Sequence, residues 1–461
     1  MSSALPGSAD TIIAQATVGA RSALAVIRLS GPDALRIAGS LLAPWHPAPP
    51  RRVFLATLRD ASGQHVDRGI VTVFHAPASY TGEDMVELSL HGGDVGPALA
   101  LSALLAAGAR HALPGEFTRR AVLNGKLDLL QAEAVGDLID ARTRAMHDVA
   151  FGQLAGHLSA RLNELRDRII DLEALIAYDV DFPEEDDGPI ATNRILNTAR
   201  GVLDALGGLL ATASTGEMIR GGAIVVIAGA PNAGKSSLFN ALIGTQRAIV
   251  TELPGTTRDA LEAMIDVGRW PVRLVDTAGL RTSDDVIERL GIEVATDYLG
   301  RAATVRVCGD SLPSLVDAMA RVRSLTDAHV ITIATKGDAH EWTPAELQSI
   351  PGAHETIAVS ARSGDGLPAL LEKICAVLDA VQRPLSADTP MLTRERHRLA
   401  LECARAEMSA FLEAWTSEHP IPAVVCAVHL HSARGHLEEL VGVLDVEDVL
   451  DRLFSSFCVG K

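Results

Sequence analysis

Short apolar runs and longer apolar periodicities alternate along the chain and divide it into stretches of different character. Between residues 10 and 120, Thr11 to Ala16, Leu24 to Leu29, Val53 to Leu58, Gly69 to Phe74 and Met85 to Leu90 have the length and composition of strands. Gly31-Pro32-Asp33 opens a helix through Leu35, Ile37 and Leu41, and Ala98 to Ala107 is a second, alanine- and leucine-rich helix. Pro44 to Pro50 is a proline-rich connector. This mixture predicts a compact α+β domain.

From Lys126 the period changes. Leu158, Leu162, Leu165, Ile169, Leu172 and Ile176 are spaced alternately by four and three, the seam of one long packed helix. The acidic stretch Asp179 to Asp187, with Pro183 inside it, ends that helix, and another is expected from about Thr192 to Thr212. From about residue 221 to 380 apolar runs again alternate with helical patterns. After Pro384 and Pro390 helices resume, with Leu399, Cys403, Ala406 and Leu412 expected on one face, and a last helix is expected near Val446 to Phe457. Helices on both sides of the middle stretch predict one helical domain with another domain inserted, since insertions favour exposed loops. The expected boundaries are 1–125, 126–220, 221–382 and 383–461. The fold class expected is therefore α/β and α+β multidomain.

A hydrophobic content of 48% over 461 residues is ample for several packed cores and excludes a disordered chain. The formal net charge of −17 argues against a dedicated nucleic-acid coat, because polyanion binding rests on neutralising phosphates. Cys308, Cys375, Cys403, Cys426 and Cys458 show no C-x-x-C spacing, which suits a reducing compartment and gives no zinc signature. The start of the chain lacks a basic segment followed by an apolar one, and no apolar run reaches the ~18 residues of a membrane span. A cytoplasmic protein without membrane attachment is expected.

The chemistry concentrates in the middle stretch. Ile224 to Ala228 reads as a buried strand, Gly229-x-x-x-x-Gly234-Lys235-Ser236 follows, and a helix runs on through Leu238, Leu242 and Ile243. This is a phosphate-binding loop in its strand–loop–helix setting. Glycines let successive N–H groups face a phosphate, and the new helix adds its positive end. Asn232, Ala233, Gly234, Lys235, Ser236 and Ser237 are the expected phosphate contacts, with Lys235 on the β- and γ-phosphates and the Ser236 hydroxyl on Mg²⁺. Asp276-Thr277-Ala278-Gly279, after the apolar run Val272 to Val275, places a carboxylate near that ion and a glycine where the γ-phosphate is sensed. Thr335-Lys336-Gly337-Asp338 chooses the base. The Asp338 carboxylate can accept the N1–H and N2–H₂ pair of guanine, which adenine lacks, and an unpaired buried acceptor rejects analogues by roughly 10⁴–10⁵. Ser360-Ala361-Arg362 supplies a further base contact. These motifs in this order predict a GTPase domain, with Thr335 where most GTPases carry asparagine.

Further motifs carry a resemblance. Ser79-Tyr80-Thr81-Gly82-Glu83-Asp84, His91-Gly92-Gly93, Pro114-Gly115-Glu116-Phe117, Asn124-Gly125-Lys126-Leu127-Asp128-Leu129, Gln131-Ala132-Glu133-Ala134, Gly255-Thr256-Thr257-Arg258-Asp259, Asp276 to Arg281 and the final Phe457-Cys458-Val459-Gly460-Lys461 resemble the MnmE (TrmE) family of tRNA-modification GTPases over almost the whole length. Val18-Gly19-Ala20-Arg21-Ser22 departs from that family's Pro-Pro-Gly-Arg-Gly, and Arg306 to Asp310 is also atypical. The resemblance implies a folate-binding N-terminal domain that dimerises, a discontinuous helical domain and an inserted Ras-like G domain. It implies a homodimer, a flavin-dependent partner, MnmG (GidA), with which it forms a heterotetramer, and tRNA as substrate. Together they place an aminomethyl-type group on C5 of the wobble uridine, using a tetrahydrofolate one-carbon unit.

The family's residues map onto this chain by motif. Leu280, where Ras-like proteins carry a water-orienting glutamine, cannot play that part, and Glu288 matches the family's catalytic glutamate. Transition-state charge is met in the family by K⁺, implied here on Asn232, Thr251, Leu253 and Thr256, while Thr257 joins Ser236 on Mg²⁺. Glu252, Pro254 and Gly255 complete the nucleotide loop. Arg28, Glu87, Lys126 and Lys461 match positions that bind 5-formyltetrahydrofolate, and Cys458 falls beside the one-carbon donor as a candidate nucleophile or base, its rival role being a buried hydrophobe. His91 is expected to be structural. Two other classes compete: a GTP-controlled assembly scaffold, which usually carries basic RNA-binding appendages, and a folate transferase regulated by its G domain.

Overall fold

The computed structural model describes residues 10–45, 53–181, 192–245, 261–276, 302–326, 328–353, 355–382, 389–419, 421–442 and 460. The chain forms two compact units, Met1–Gly136 with Glu438–Lys461, and Asp137–Leu437.

In the first unit the apolar runs become strands. β1 (Ile12–Gln15), β2 (Leu24–Ser30), β3 (Leu42–Ala43), β4 (Val53–Arg59), β5 (His65–Phe74), β6 (Met85–His91) and β7 (Arg110–His111) form a seven-stranded sheet in the order β3-β4-β5-β6-β2-β1-β7. Neighbours are antiparallel except β1 and β7. Alternation sorts the side chains to two faces. Ile27, Leu29, Val71 and Leu88 pack under the helices Ala34–Leu41 and Gly96–Ala106. On the other face Ile12 and Ala14 pack with Phe117, from the helix Glu116–Leu123. β5 begins at His65, earlier than its apolar run, because the polar residues before Gly69 are held by the ladder to β4.

In the second unit the expected long helix is His157–Asp181, with Leu158, Leu162, Leu165, Ile169, Leu172 and Ile176 all buried. It packs against Thr192–Leu210, on which Glu395–Trp415 also packs. The buried face of Glu395–Trp415 is not the one expected. Leu399 and Cys403 are exposed, and Leu401, Ala404, Met408 and Phe411 are buried. The segment carries two apolar stripes, and the one with the bulkier Met408 and Phe411 removes more surface from water. The expected last helix, near 446–457, lies outside the described residues.

The middle stretch forms a six-stranded sheet of β8 (Ala223–Gly229), β9 (Leu261–Val267), β10 (Trp270–Asp276), β11 (Thr304–Gly309), β12 (His329–Ala334) and β13 (Thr356–Ala358), ordered β13-β12-β11-β8-β10-β9. Only β9 runs antiparallel to its neighbour. The parallel strands are near-continuous apolar runs because both faces are covered. Val225 and Ile227 pack with Leu238, Leu242, Leu370 and Ile374 on one side, and Val226, Val305 and Val307 with Met319 and Val322 on the other. A long cation departs from this rule. Arg306, in β11, is fully buried, and burial lowers its pKa to about 9. Its Nη1 donates to Thr304 Oγ1 at 2.6 Å, while Nε and Nη2 have no partner among the described residues.

Candidate functional site

The carboxyl ends of β8, β10, β11 and β12 bring together the motifs expected to hold the nucleotide, at the open edge of a parallel sheet. β8 ends at Gly229, whose φ is 150°. A Cβ there would stand 2.3 Å from the Cys308 carbonyl oxygen, so only glycine lets the loop leave beside β11. Asn232 has φ 62° and Gly234 φ 82°, the left-handed turns that curl the loop. The helix Lys235–Thr245 then starts with its N-terminal N–H groups towards the loop. The Lys235 ammonium is buried and donates to the Gly229 and Ala230 carbonyls at 3.0 and 2.8 Å. The Ser236 hydroxyl donates to Asp276 Oδ2 at 2.8 Å, which sets a hydroxyl and a buried carboxylate side by side. That oxygen pair is the hard donor set a magnesium ion takes. Burial pushes the Cys308 thiol, beside Gly229, up to about 12, so it is no nucleophile.

The motifs expected to read the base close one side of this loop. Thr335 Oγ1 stands 2.8 Å from the Ala233 carbonyl oxygen and 3.1 Å from that of Gly309, tying β12 to the loop and to β11. Ser360 Oγ donates to Asp338 Oδ1 at 2.9 Å, and Gly337 N to the Val359 carbonyl at 3.1 Å. A pocket of about 170 Å³ is lined by Gly234, Ser237, Thr335, Lys336, Asp338 and Ala361, among others including Arg362. Two supporting residues escape a motif reading. Asp310 accepts from Lys336 Nζ at 2.6 Å, and this hydrogen bond holds its carboxyl below the usual range. Trp342 Nε1 donates to the Thr335 carbonyl at 3.1 Å. Asp310 carried a signal, a carboxylate just past the apolar run of β11, whereas nothing in the spacing marks Trp342. Thr251 to Thr257, Thr277, Ala278, Gly279 and Glu288 lie outside the described residues.

The first unit holds a second constellation. Arg28 on β2 and Glu87 on β6 are register partners, and Arg28 Nε and Nη2 reach Glu87 Oε1 at 2.9 and 2.8 Å. The guanidinium carbon lies 5.4 Å from the Tyr80 ring centre and 5.6 Å from that of Phe117. Burial pushes the Tyr80 hydroxyl up, against the pull of its 2.8 Å bond with Thr118. Ser30, on the same strand face as Arg28, meets Thr81 at 2.6 Å, and Gly82 (φ 80°) lies under the stem of Lys126. Gly460 is buried with φ 103°; a Cβ on it would meet the Gln15 carbonyl oxygen at 2.5 Å. It lies against Gln15 and Ala16 at the end of β1, and the preceding residue of that strand, Ala14, is the register partner of Arg28. Cys458 and Lys461 lie outside the described residues. His91 is exposed and pairs with Asp67 at 2.8 Å.

A profile described as the MnmE helical domain matches residues 129–458, and one described as the GTP-binding protein TrmE N-terminus matches residues 11–126. The tRNA modification GTPase MnmE of Moorella thermoacetica is 39% identical over 463 residues, covering 98% of this chain and 99% of its own. The chain belongs to the MnmE family of tRNA modification GTPases. The family member of Aquifex aeolicus is 38% identical over 453 residues, covering 98% of this chain and all of its own, and that of Neisseria meningitidis serogroup C 41% over 456 residues, covering 98% and 99%. Among solved structures, the G domain of the T. maritima FeoB iron transporter is 30% identical, covering 34% of this chain and 98% of its own at a TM-score of 0.28. Among the described residues no helix is long and apolar enough to cross a membrane, and no group of His, Cys, Asp or Glu forms a metal cluster.

Proposed function

We propose that this chain binds and hydrolyses GTP at the edge of the six-stranded sheet and uses that cycle in the modification of tRNA. One observation carries the nucleotide assignment: Asp338, held by Ser360, lines a pocket that opens beside Gly234 and Ser237 of the phosphate loop. Ser236 and Thr257 hold Mg²⁺, which neutralises charge on the β- and γ-phosphates when bound. Asn232, Thr251, Leu253 and Thr256 hold K⁺. The Asn232 position supports this, since its backbone turn leaves the residue exposed at the loop. Glu288 orients the attacking water.

The Arg28–Glu87 face takes the tetrahydrofolate. Both Arg28 contacts go to Glu87 Oε1, which leaves Oε2 to accept from a pterin amino edge, while Lys126 and Lys461 meet carboxylates. Cys458 acts beside the one-carbon unit. A homodimer through the N-terminal domain is supported by the exposed apolar side chains Val53, Leu55 and Ile70 on adjacent strands β4 and β5. The flavin-dependent partner, MnmG, and a cytoplasmic location complete the proposal. The test is direct. Wild type hydrolyses GTP and not ATP, and Asp338→Asn turns preference towards xanthosine triphosphate. Nucleosides from tRNA of a deletion strain lack the modified wobble uridine. Equal use of ATP removes the base assignment, and unchanged tRNA removes the modification.

A further inference from the structure

A cavity of about 410 Å³, larger than the base pocket, lies between the helix Arg144–Leu154, the end of the helix Ala213–Gly221, and strands β9 and β10. Its floor is apolar: Val149, Ala150, Ile219 and Ala263 are all buried there. The charges at its rim are unevenly matched. Asp137 is engaged twice at Oδ1, by Arg220 Nε at 2.9 Å and Arg394 Nη2 at 2.8 Å. Gln153 gives its amide to Thr393 at 3.0 Å. Arg273 gives Nη2 to the Gly221 carbonyl at 2.8 Å, and its carboxylate neighbour, Glu262, stands off at 4.0 Å from Nη1. Arg142, which lines the cavity and is half-buried, has no hydrogen bond or ion pair among the described residues.

We propose that this cavity binds a small apolar anion, an aromatic or aliphatic body bearing one carboxylate or sulfonate group. The floor provides the apolar contact that buries such a body, and the guanidinium of Arg142, assisted by the far arm of Arg273, provides charge-assisted hydrogen bonds to one anionic head. A polyphosphate is disfavoured by the apolar floor. The site is separate from the nucleotide pocket, although Arg273 and Asp276 lie three residues apart on the same strand.

The probe is 1-anilinonaphthalene-8-sulfonate, titrated by fluorescence into the full chain. Wild type binds it saturably. Arg142→Glu weakens binding about tenfold or more, the loss of a hydrogen bond to a charged group. Asp140→Lys, at an exposed rim position, tightens it. Neither change touches the phosphate loop, so unaltered guanine-nucleotide binding and melting temperature show that both variants are folded. Both shifts together support the site. No saturable binding, or the absence of either shift, overturns it.

Discussion

A threonine hydroxyl has one hydrogen to give, and that of Thr335 stands between two carbonyl oxygens, Ala233 O and Gly309 O. An asparagine amide has two hydrogens and can serve both. Thr335→Val leaves the Ala233 carbonyl without this donor, while Gly309 O keeps the backbone N–H of residue 335 at 2.9 Å; at about 1–3 kcal/mol the change is expected to weaken guanine-nucleotide binding roughly 5- to 150-fold. Thr335→Asn is expected to match or exceed wild type. Titration with a fluorescent GDP analogue decides it, and wild-type affinity in the valine variant removes the tie from the binding site. Arg306 poses the opposite case, a cation in a core that does not need it. Replacing buried ions by apolar residues of similar volume is often stabilising by about 1–4 kcal/mol, so Arg306→Met is expected to raise the melting temperature. The folded pKa of about 9 lies below the unfolded value, so the penalty is fully present below pH 9 and is relieved only as pH rises beyond it. The gain is therefore expected to be equal in melts at pH 6 and pH 8; no gain at either shows the cation is accommodated. Lys235, Ser236, Asp276 and Asp338 were legible in the sequence because their chemistry fixes their spacing. Trp342 was not, since no spacing marks its bond to the Thr335 carbonyl, and Asp310 was so only in part, since its pairing with Lys336 needs β11 and β12 side by side.

Among the elements, the turn before β6, the strand β7 and the helix Glu116–Leu123 are joined by charge. Arg120 donates to Glu83 at 3.1 Å and to Glu116 at 3.1 Å, and Arg110 reaches Glu116 at 2.6 Å and Asp10 at 3.1 Å. Burial raises the Glu116 pKa, but the Arg110 bond, the Leu113 N–H and Arg120 outweigh it and hold the carboxyl below its ordinary value. The unfolded chain thus binds the proton more readily. Glu116 contributes stability above its unfolded pKa, and this is lost as pH falls through the lower folded value. Arg120→Met is expected to cost about 3–5 kcal/mol, since it strips buried carboxylates of a partner. Chemical denaturation should show that cost shrinking towards pH 3; a pH-independent loss would mean that packing, not charge, holds these elements. The motifs around Glu83 and Glu116 are visible as sequence, but their pairing needs the sheet to bring residues 83, 110, 116 and 120 together. β9 was missed for a related reason. Its Leu-Glu-Ala-Met-Ile-Asp-Val alternates weakly, and Met264 is buried with its neighbours Ala263 and Ile265, so the ladder to β10 rather than local pattern makes it a strand.

At the scale of the molecule, the chain leaves the helices for the six-stranded sheet and later returns to them, and one carboxylate stands at both crossings. Asp137 takes Arg220, just before β8, and Arg394, just before the helix Glu395–Trp415. The crossings touch elsewhere too: Gln382 Nε2 donates to Ser214 Oγ at 2.8 Å, and Leu392 N to Thr212 Oγ1 at 3.1 Å. Neighbouring ends make a loop closure between them cheap. A chain in which residues 223–381 are replaced by a short Gly/Ser linker is expected to keep the helices 192–210 and 395–415 packed, with a cooperative melt by circular dichroism; a chain that melts without cooperativity shows the sheet is needed to hold them. The same geometry speaks to ancestry. A stretch of gene whose two ends meet in the folded product can be gained or lost in a single recombination event, and Asp137, outside the stretch, would go on pairing with the two arginines that flank the join.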